Sequence, residues 1–185
     1  MAIESAALSR LIPWRTPATD ADWDAVYAEQ MPRVYNFFRY RVGDDHAAED
    51  LTSITFEKAW SARHRYQRDQ AGFATWLFAI ARNVAIDHYR RTRPFAPLED
   101  AESLAGSADP AGEAERRSDC ERLLRLLARL PQRERELLSL KYGAGLTNRA
   151  IARLMGLGES NVGTILHRSI AGLRASWDGK ETQHG

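Results

Sequence analysis

Ser160, Asn161, Thr164, His167 and Arg168 are polar residues threaded between the apolar Val162, Ile165, Leu166, Ile170 and Leu173. Their chemistry suits duplex DNA. Asparagine bonds adenine in bidentate fashion, serine and threonine reach phosphates or base edges, and arginine holds phosphate or guanine. A second set, Trp76, Asn83, Asp87 and Arg90, lines one stripe of another predicted helix, with Arg82 and Arg91 beside it. That stripe adjoins the core arc of the helix, and Arg91 extends its basic end. His167 fits a phosphate contact or a packing role better than metal ligation, because the five histidines show no paired ligand spacing. The single cysteine, Cys120, excludes an internal disulfide framework and any site needing several thiolates. No nucleophile is paired with a base, and no phosphate loop or metal cluster is visible. The expected protein is not an enzyme and uses no cofactor, metal or small-molecule substrate.

The first polar set needs a scaffold that presents one helix to a groove. Thr147 suits the N-cap of a short helix ending at Met155, Gly156-Leu157-Gly158 reads as a tight turn, and a longer helix starts near Glu159. Ile151 and Ala152 face inward, Gly156 follows four residues after Ala152, and Val162 and Ile165 follow at ten and thirteen. This is the spacing of a DNA-binding helix-turn-helix, whose second helix enters the major groove. The helix N-terminus adds partial positive charge.

Around these sets the chain of 185 residues is 44% apolar and 28% charged, the composition of a globular protein. No run approaches the length of a membrane span and the N-terminus lacks a secretory pattern, so a cytoplasmic location is expected. The net charge of +1 conceals a division: residues 94–115 hold six acids and no base, whereas residues 116–185 hold thirteen bases and seven acids. The acidic stretch contains three prolines and two glycines and has no amphipathic period. It reads as a flexible connector between two helical domains.

The organisation predicted is an N-terminal tail (1–20), a first domain (21–93), the acidic linker (94–115), a second domain (116–177) and a C-terminal tail (178–185). The fold class is all-α, because no alternating β-branched run is bounded by turns. In the first domain a helix spans Trp23 to about Arg41, interrupted or kinked near Pro32. Asp44 or Asp45 caps a second helix running to about Tyr66, with Ala48, Leu51, Ile54, Thr55, Lys58 and Ala59 near one face. A third runs from Phe73 to about Arg91, with Phe73, Leu77, Ile80, Ala81, Val84 and His88 in one core arc. In the second domain Cys120, Leu123, Leu124, Leu127 and Leu130 mark a helix ending before Pro131. Pro131 suits the first position of the next helix, which stops at Gly143-Ala144-Gly145.

With both sets placed, the chain resembles the sigma-70-type sigma factors of bacterial RNA polymerase, in particular the short extracytoplasmic-function group. Ala48-Glu-Asp-Leu-Thr-Ser-Ile-Thr-Phe-Glu-Lys-Ala-Trp60 is similar to their polymerase-clamp-binding helix. Phe73-Ala-Thr-Trp-Leu-Phe-Ala-Ile-Ala-Arg-Asn-Val-Ala-Ile-Asp-His-Tyr-Arg-Arg91 resembles the region 2 helix that melts and reads the −10 element. The second domain resembles region 4, which reads the −35 element.

The resemblance implies that core polymerase is bound by Glu49, Asp50, Leu51, Ser53, Ile54, Phe56 and Glu57. It implies −10 DNA contacts from Trp76, Arg82, Asn83, Asp87, Arg90 and Arg91. The −35 contacts implied are Arg149, Ser160, Asn161, Thr164, His167 and Arg168. It also implies an anti-sigma partner. Two departures stand out. Ser53-Ile54 replaces the Gln-Glu usual in the clamp-binding helix, leaving Glu49 and Asp50 as its carboxylates. Gly163 stands where a basic residue often follows the valine, so Arg149, Arg153 and Arg168 must anchor phosphate. Two other functions fit parts of the pattern: a stand-alone helix-turn-helix regulator, or a sigma mimic that occupies an anti-sigma factor.

Overall fold

The computed structural model describes residues 20–66, 72–92 and 112–179. Among them are seven α-helices and no strand. The expectations for both tails, for the acidic connector over residues 93–111 and for the loop over residues 67–71 lie outside the described residues.

Helix α1 (Asp20–Val42) runs through Pro32 as one helix, so the interruption that the sequence allows there does not occur. Pro32 removes the donor for the Ala28 carbonyl. Ala28, Met31 and Pro32 are all exposed, so water can serve that carbonyl. Val34, Phe37 and Phe38, all fully buried, hold the following turns in place. Asp44 caps helix α2 (Asp45–Ser61), its carboxylate accepting from the Ala47 N–H at 2.7 Å.

Helix α2 ends at Ser61, short of the predicted Tyr66, and continues as a 3-10 turn over Arg63–Arg65. Arg63 serves a terminal carbonyl at this end. Its guanidinium lies over the Trp60 ring at 3.8 Å and donates to the Trp60 carbonyl at 2.9 Å, replacing a helical donor. The buried face of α2 is Ala48, Leu51, Thr52, Thr55, Phe56 and Ala59, while Ile54 and Lys58 are exposed. Thr52 and Thr55 lie buried at no loss, because each hydroxyl donates to the carbonyl four residues back at 2.7 Å.

Helix α3 (Phe73–Thr92) buries four of its six predicted core residues, with Ile80 and His88 half-buried. Phe78 and Ala85 are buried as well, α3 packing against α1, α2 and α6. Phe37 holds Phe78 edge-to-face at 5.8 Å, an arrangement worth about 0.5–1.5 kcal/mol beyond the area it buries.

Helix α4 (Gly112–Ala128) begins inside the stretch read as connector. Pro131 is the N-cap of α5 (Gln132–Leu138), one position earlier than predicted. Helix α5 passes into a π-helical turn, Ser139–Gly143, in which the Ala144 N–H donates to the Ser139 carbonyl at 2.9 Å. Then come α6 (Asn148–Met155) and α7 (Glu159–Asp178).

Thr147 caps α6 through its hydroxyl, which accepts from the Ala150 N–H at 3.2 Å. Gly156 ends α6 in the left-handed conformation (φ 64°), which glycine adopts without steric cost. Thr147→Ala is expected to destabilise the fold by about 1 kcal/mol; a denaturant midpoint that does not fall would contradict the cap's role.

Helix α1 packs against the π turn, α4 and α5, and α3 touches α6. One cluster of buried apolar residues includes members of both modules.

Candidate nucleic-acid interface

At one end of the first module Trp23, Trp60, Tyr66, Phe73 and Trp76 form an aromatic cluster. Tyr66 and Phe73 hold Trp76 at 5.3 and 5.4 Å, and Trp23 lies 5.3 Å from Trp60 and 6.0 Å from Phe73. Trp76 is half-buried, so it packs in the cluster while retaining some exposed surface. Asn83, Arg90 and Arg91 are exposed further along α3.

Asp87 is paired within the module. Its carboxylate takes Lys58 of α2 at 3.9 Å and Arg90 at 3.4 Å. A carboxylate would repel phosphate; here it ties two cations to one face of the module. Lys58 is a member of this face that sequence reasoning missed, because helical periodicity cannot connect residues on α2 and α3.

Arg82 is paired as well. Rather than facing solvent freely, it donates to Glu136 of α5 at 2.6 Å and is about one third exposed. The other Glu136 oxygen lies 3.5 Å from Arg41, which is 1% exposed and donates also to the Gln132 carbonyl at 3.1 Å. Burial pushes the Arg41 guanidinium below its usual range, opposed by nearby Tyr89 and Glu136. Tyr89 lies under the Arg41 guanidinium at 4.9 Å and donates to the Arg41 carbonyl.

On α2, Glu49, Asp50, Ser53, Ile54 and Glu57 share the solvent side. Leu51 and Phe56 do not: both are 5% exposed and pack inside the bundle. Phe56 meets Tyr27 at 4.6 Å, leaving the Tyr27 ring partly at the surface. These two apolar residues fix the pitch of the helix; the polar edge is what a partner could touch. The Ser53 hydroxyl donates to the Glu49 carbonyl at 3.1 Å.

In the second module the predicted inner residues Ile151, Ala152, Val162, Leu166 and Leu173 are buried, and Ile165 and Ile170 are half-buried. Arg149, Ser160, Asn161, Thr164, His167 and Arg168 are all exposed. The Thr164 hydroxyl donates to the Ser160 carbonyl at 3.0 Å, so it can offer an outside group an acceptor. Gly158 caps α7 without a side-chain hydrogen bond, leaving the N–H groups of the first turn for an anion. Gly163 lies beside Asn148, and a side-chain carbon there would stand 3.7 Å from the Asn148 amide nitrogen. His167 also lines a groove of about 350 Å³ with Lys141, Tyr142 and Arg174. Buried Ser169, on the inner side of α7, donates to Glu134 at 2.8 Å and fixes the helix on α5.

A helix-turn-helix with an exposed polar edge, joined to a helical bundle bearing aromatic and basic groups, defines a two-module DNA-reading protein. Comparison with known proteins narrows the class. The profile of Sigma-70 region 2 matches residues 26–95, and that of Sigma-70 region 4 matches residues 120–171. The ECF RNA polymerase sigma factor SigM of Bacillus subtilis is 32% identical over 84% of this chain and 94% of its own length. The ECF RNA polymerase sigma factor BldN of Streptomyces coelicolor is 31% identical over 90% of this chain, which spans 64% of BldN. The sigma factor RpoE of Bartonella quintana, solved in complex with the anti-sigma factor NepR, has the same fold: TM-score 0.63 and 20% identity, covering 83% of this chain and 94% of that one. The chain belongs to the ECF sigma factors of the sigma-70 family, and its function is to direct transcription initiation.

Proposed function

We propose the following division of labour for that function. The exposed edge of α2 (Glu49, Asp50, Ser53, Ile54 and Glu57) docks on core RNA polymerase, with Leu51 and Phe56 supporting it from within. Asn83, Arg90 and Arg91, with the open face of Trp76 and with Arg82 when it is free of Glu136, hold the melted −10 strand. Asp87 positions Arg90 and Lys58 for that task. Arg149, Ser160, Asn161, Thr164, His167 and Arg168 read the −35 duplex. The observation that carries this reading is that all six −35 candidates lie exposed on one helix-turn-helix whose inner residues are buried.

A protein acting this way performs no covalent chemistry and needs only differential binding. Separating strands costs on the order of 1.4 kcal/mol of stacking per base-pair step. Bases stacked on aromatic groups return about 1–3 kcal/mol each. The balance is close, so polymerase must contribute the rest. This chain works in the cytoplasm and pairs with an anti-sigma factor; RpoE is solved in complex with one, NepR. No described helix is long and apolar enough to cross a membrane.

Gel filtration with purified core polymerase tests the first step. Co-elution is expected, weakened when Glu49, Asp50 and Glu57 are changed together to lysine. Separate elution of the unaltered chain would overturn the assignment.

A further inference from the structure

The buried stripe of α7 runs Val162, Leu166, Ser169 and Leu173, at spacings of four, three and four residues. Three of these side chains are aliphatic and one carries a hydroxyl. Packing does not ask for that hydroxyl, because an aliphatic residue would fill a site that is only 4% exposed. A buried hydroxyl is costly unless it is bonded, and this one donates to the Glu134 Oε2 at 2.8 Å. Glu134 lies half-buried in the first turn of α5, 35 residues away in the chain. Its carboxylate sits at the positive end of its own helix and makes the bond charge-assisted.

This bond stands apart from the other contacts of α7. Gly158, which starts the helix, brings no side chain, and the Thr164 hydroxyl is turned to Ser160 of α7 itself. Between Glu159 and Ser169 it is, among the described residues, the one side-chain hydrogen bond that joins α7 to another element. The far end of α7 is held separately: Arg122 of α4 donates to the Trp177 carbonyl and lies over the Trp177 ring at 4.2 Å.

Rotation of α7 about its own axis is what such a bond controls. Aliphatic contacts are non-directional and resist rotation weakly. A hydroxyl–carboxylate bond requires alignment and a separation of about 2.5–3.0 Å. The outward tips of α7 stand about 5–6 Å from its axis, so a turn of about 20° carries them roughly 2 Å. Base contacts tolerate only a few tenths of an ångström. Asn161 and Arg168 stand about 80–100° around the axis from Ser169, and Arg168 is its neighbour in the chain.

We propose that the Ser169–Glu134 bond sets the rotation of α7 and thereby determines how sharply Asn161 and Arg168 discriminate bases of the −35 duplex. Ser169 and Glu134 are positioning residues that act through α7. Their role rests on the −35 reading proposed above. Without the bond the helix stays folded but samples a range of rotations, and matched and mismatched sequences converge in affinity.

The test uses holoenzyme assembled from core polymerase and the full chain. The probes are duplexes carrying the upstream element shared by its transcripts, and single-base variants of that element. Ser169→Ala should narrow the affinity ratio between matched and variant duplexes by about tenfold, the size of one bidentate base contact. Helix content should hold, because alanine removes one oxygen and is the better helix former. Glu134→Ala should narrow the ratio equally, and the two substitutions combined should narrow it no further, as for partners in one bond. Glu134→Gln keeps an acceptor oxygen for the Ser169 hydroxyl and should restore most of the ratio.

Unchanged ratios in Ser169→Ala and Glu134→Ala would overturn the assignment. So would a uniform loss on every duplex, or a Glu134→Gln variant no better than Glu134→Ala. Asn161→Ala with Arg168→Ala in the same assay separates the two claims. A collapsed ratio there with an intact one in Ser169→Ala removes the positioning role alone. An intact ratio in both removes the −35 reading and the positioning role together.

Discussion

With Asn83→Ala and Arg90→Ala combined, promoter opening is expected to fall below detection while core polymerase is still bound. Both side chains are exposed on α3, so their removal leaves no cavity. Asp87 keeps Lys58 as a partner when Arg90 is gone, which limits collateral damage to the face. The loss is large because strand opening is nearly balanced. Two missing contacts of about 1–3 kcal/mol each outweigh what remains after roughly 1.4 kcal/mol per opened step. Permanganate reactivity of unpaired thymines around the start site reads the result, with gel filtration as the control for polymerase binding. Undiminished reactivity would remove Asn83 and Arg90 from the DNA face.

The second large effect is expected upstream. Asn161→Ala with Arg168→Ala removes one amide and one guanidinium from the exposed edge of α7, each capable of a bidentate base contact worth about 1–3 kcal/mol. Their separation by two helical turns makes the losses close to additive. Protection of the −35 duplex by the polymerase complex should therefore weaken by on the order of a hundredfold or more, and discrimination among upstream sequences should relax. A uniform loss on every sequence would point to phosphate contacts rather than base reading. The helix itself should survive, because Val162, Leu166 and Leu173 make the buried face and remain in place.

These expectations draw unequally on sequence and structure. The helix-turn-helix was legible almost to the residue, because its determinants are local: the Thr147 cap, the left-handed Gly156 and the buried Ile151, Ala152 and Val162. The all-helical class followed from the same periodicity. Ends were less legible where a side chain intervened, as Arg63 does on the Trp60 carbonyl. The width of the α3 core was underestimated, since Phe78 and Ala85 are buried by neighbours distant in sequence.

The candidate sites divide similarly. Positions inferred from helical spacing on α7 are exposed, whereas Leu51 and Phe56, carried over with a whole motif, lie inside the bundle. The pairing of Asp87 with Lys58, and of Glu136 with Arg41 and Arg82, joins separate helices. No local pattern announces such contacts. In isolation Glu136 and Arg82 read as ordinary charges on two amphipathic helices.

Transcription in vitro from a genomic DNA library, with core polymerase and start sites mapped at their 5′ ends, probes the division of labour most directly. New starts should appear when polymerase and this chain are both present, each preceded by a shared pair of upstream sequence elements. An identical set of starts with and without the chain would contradict it.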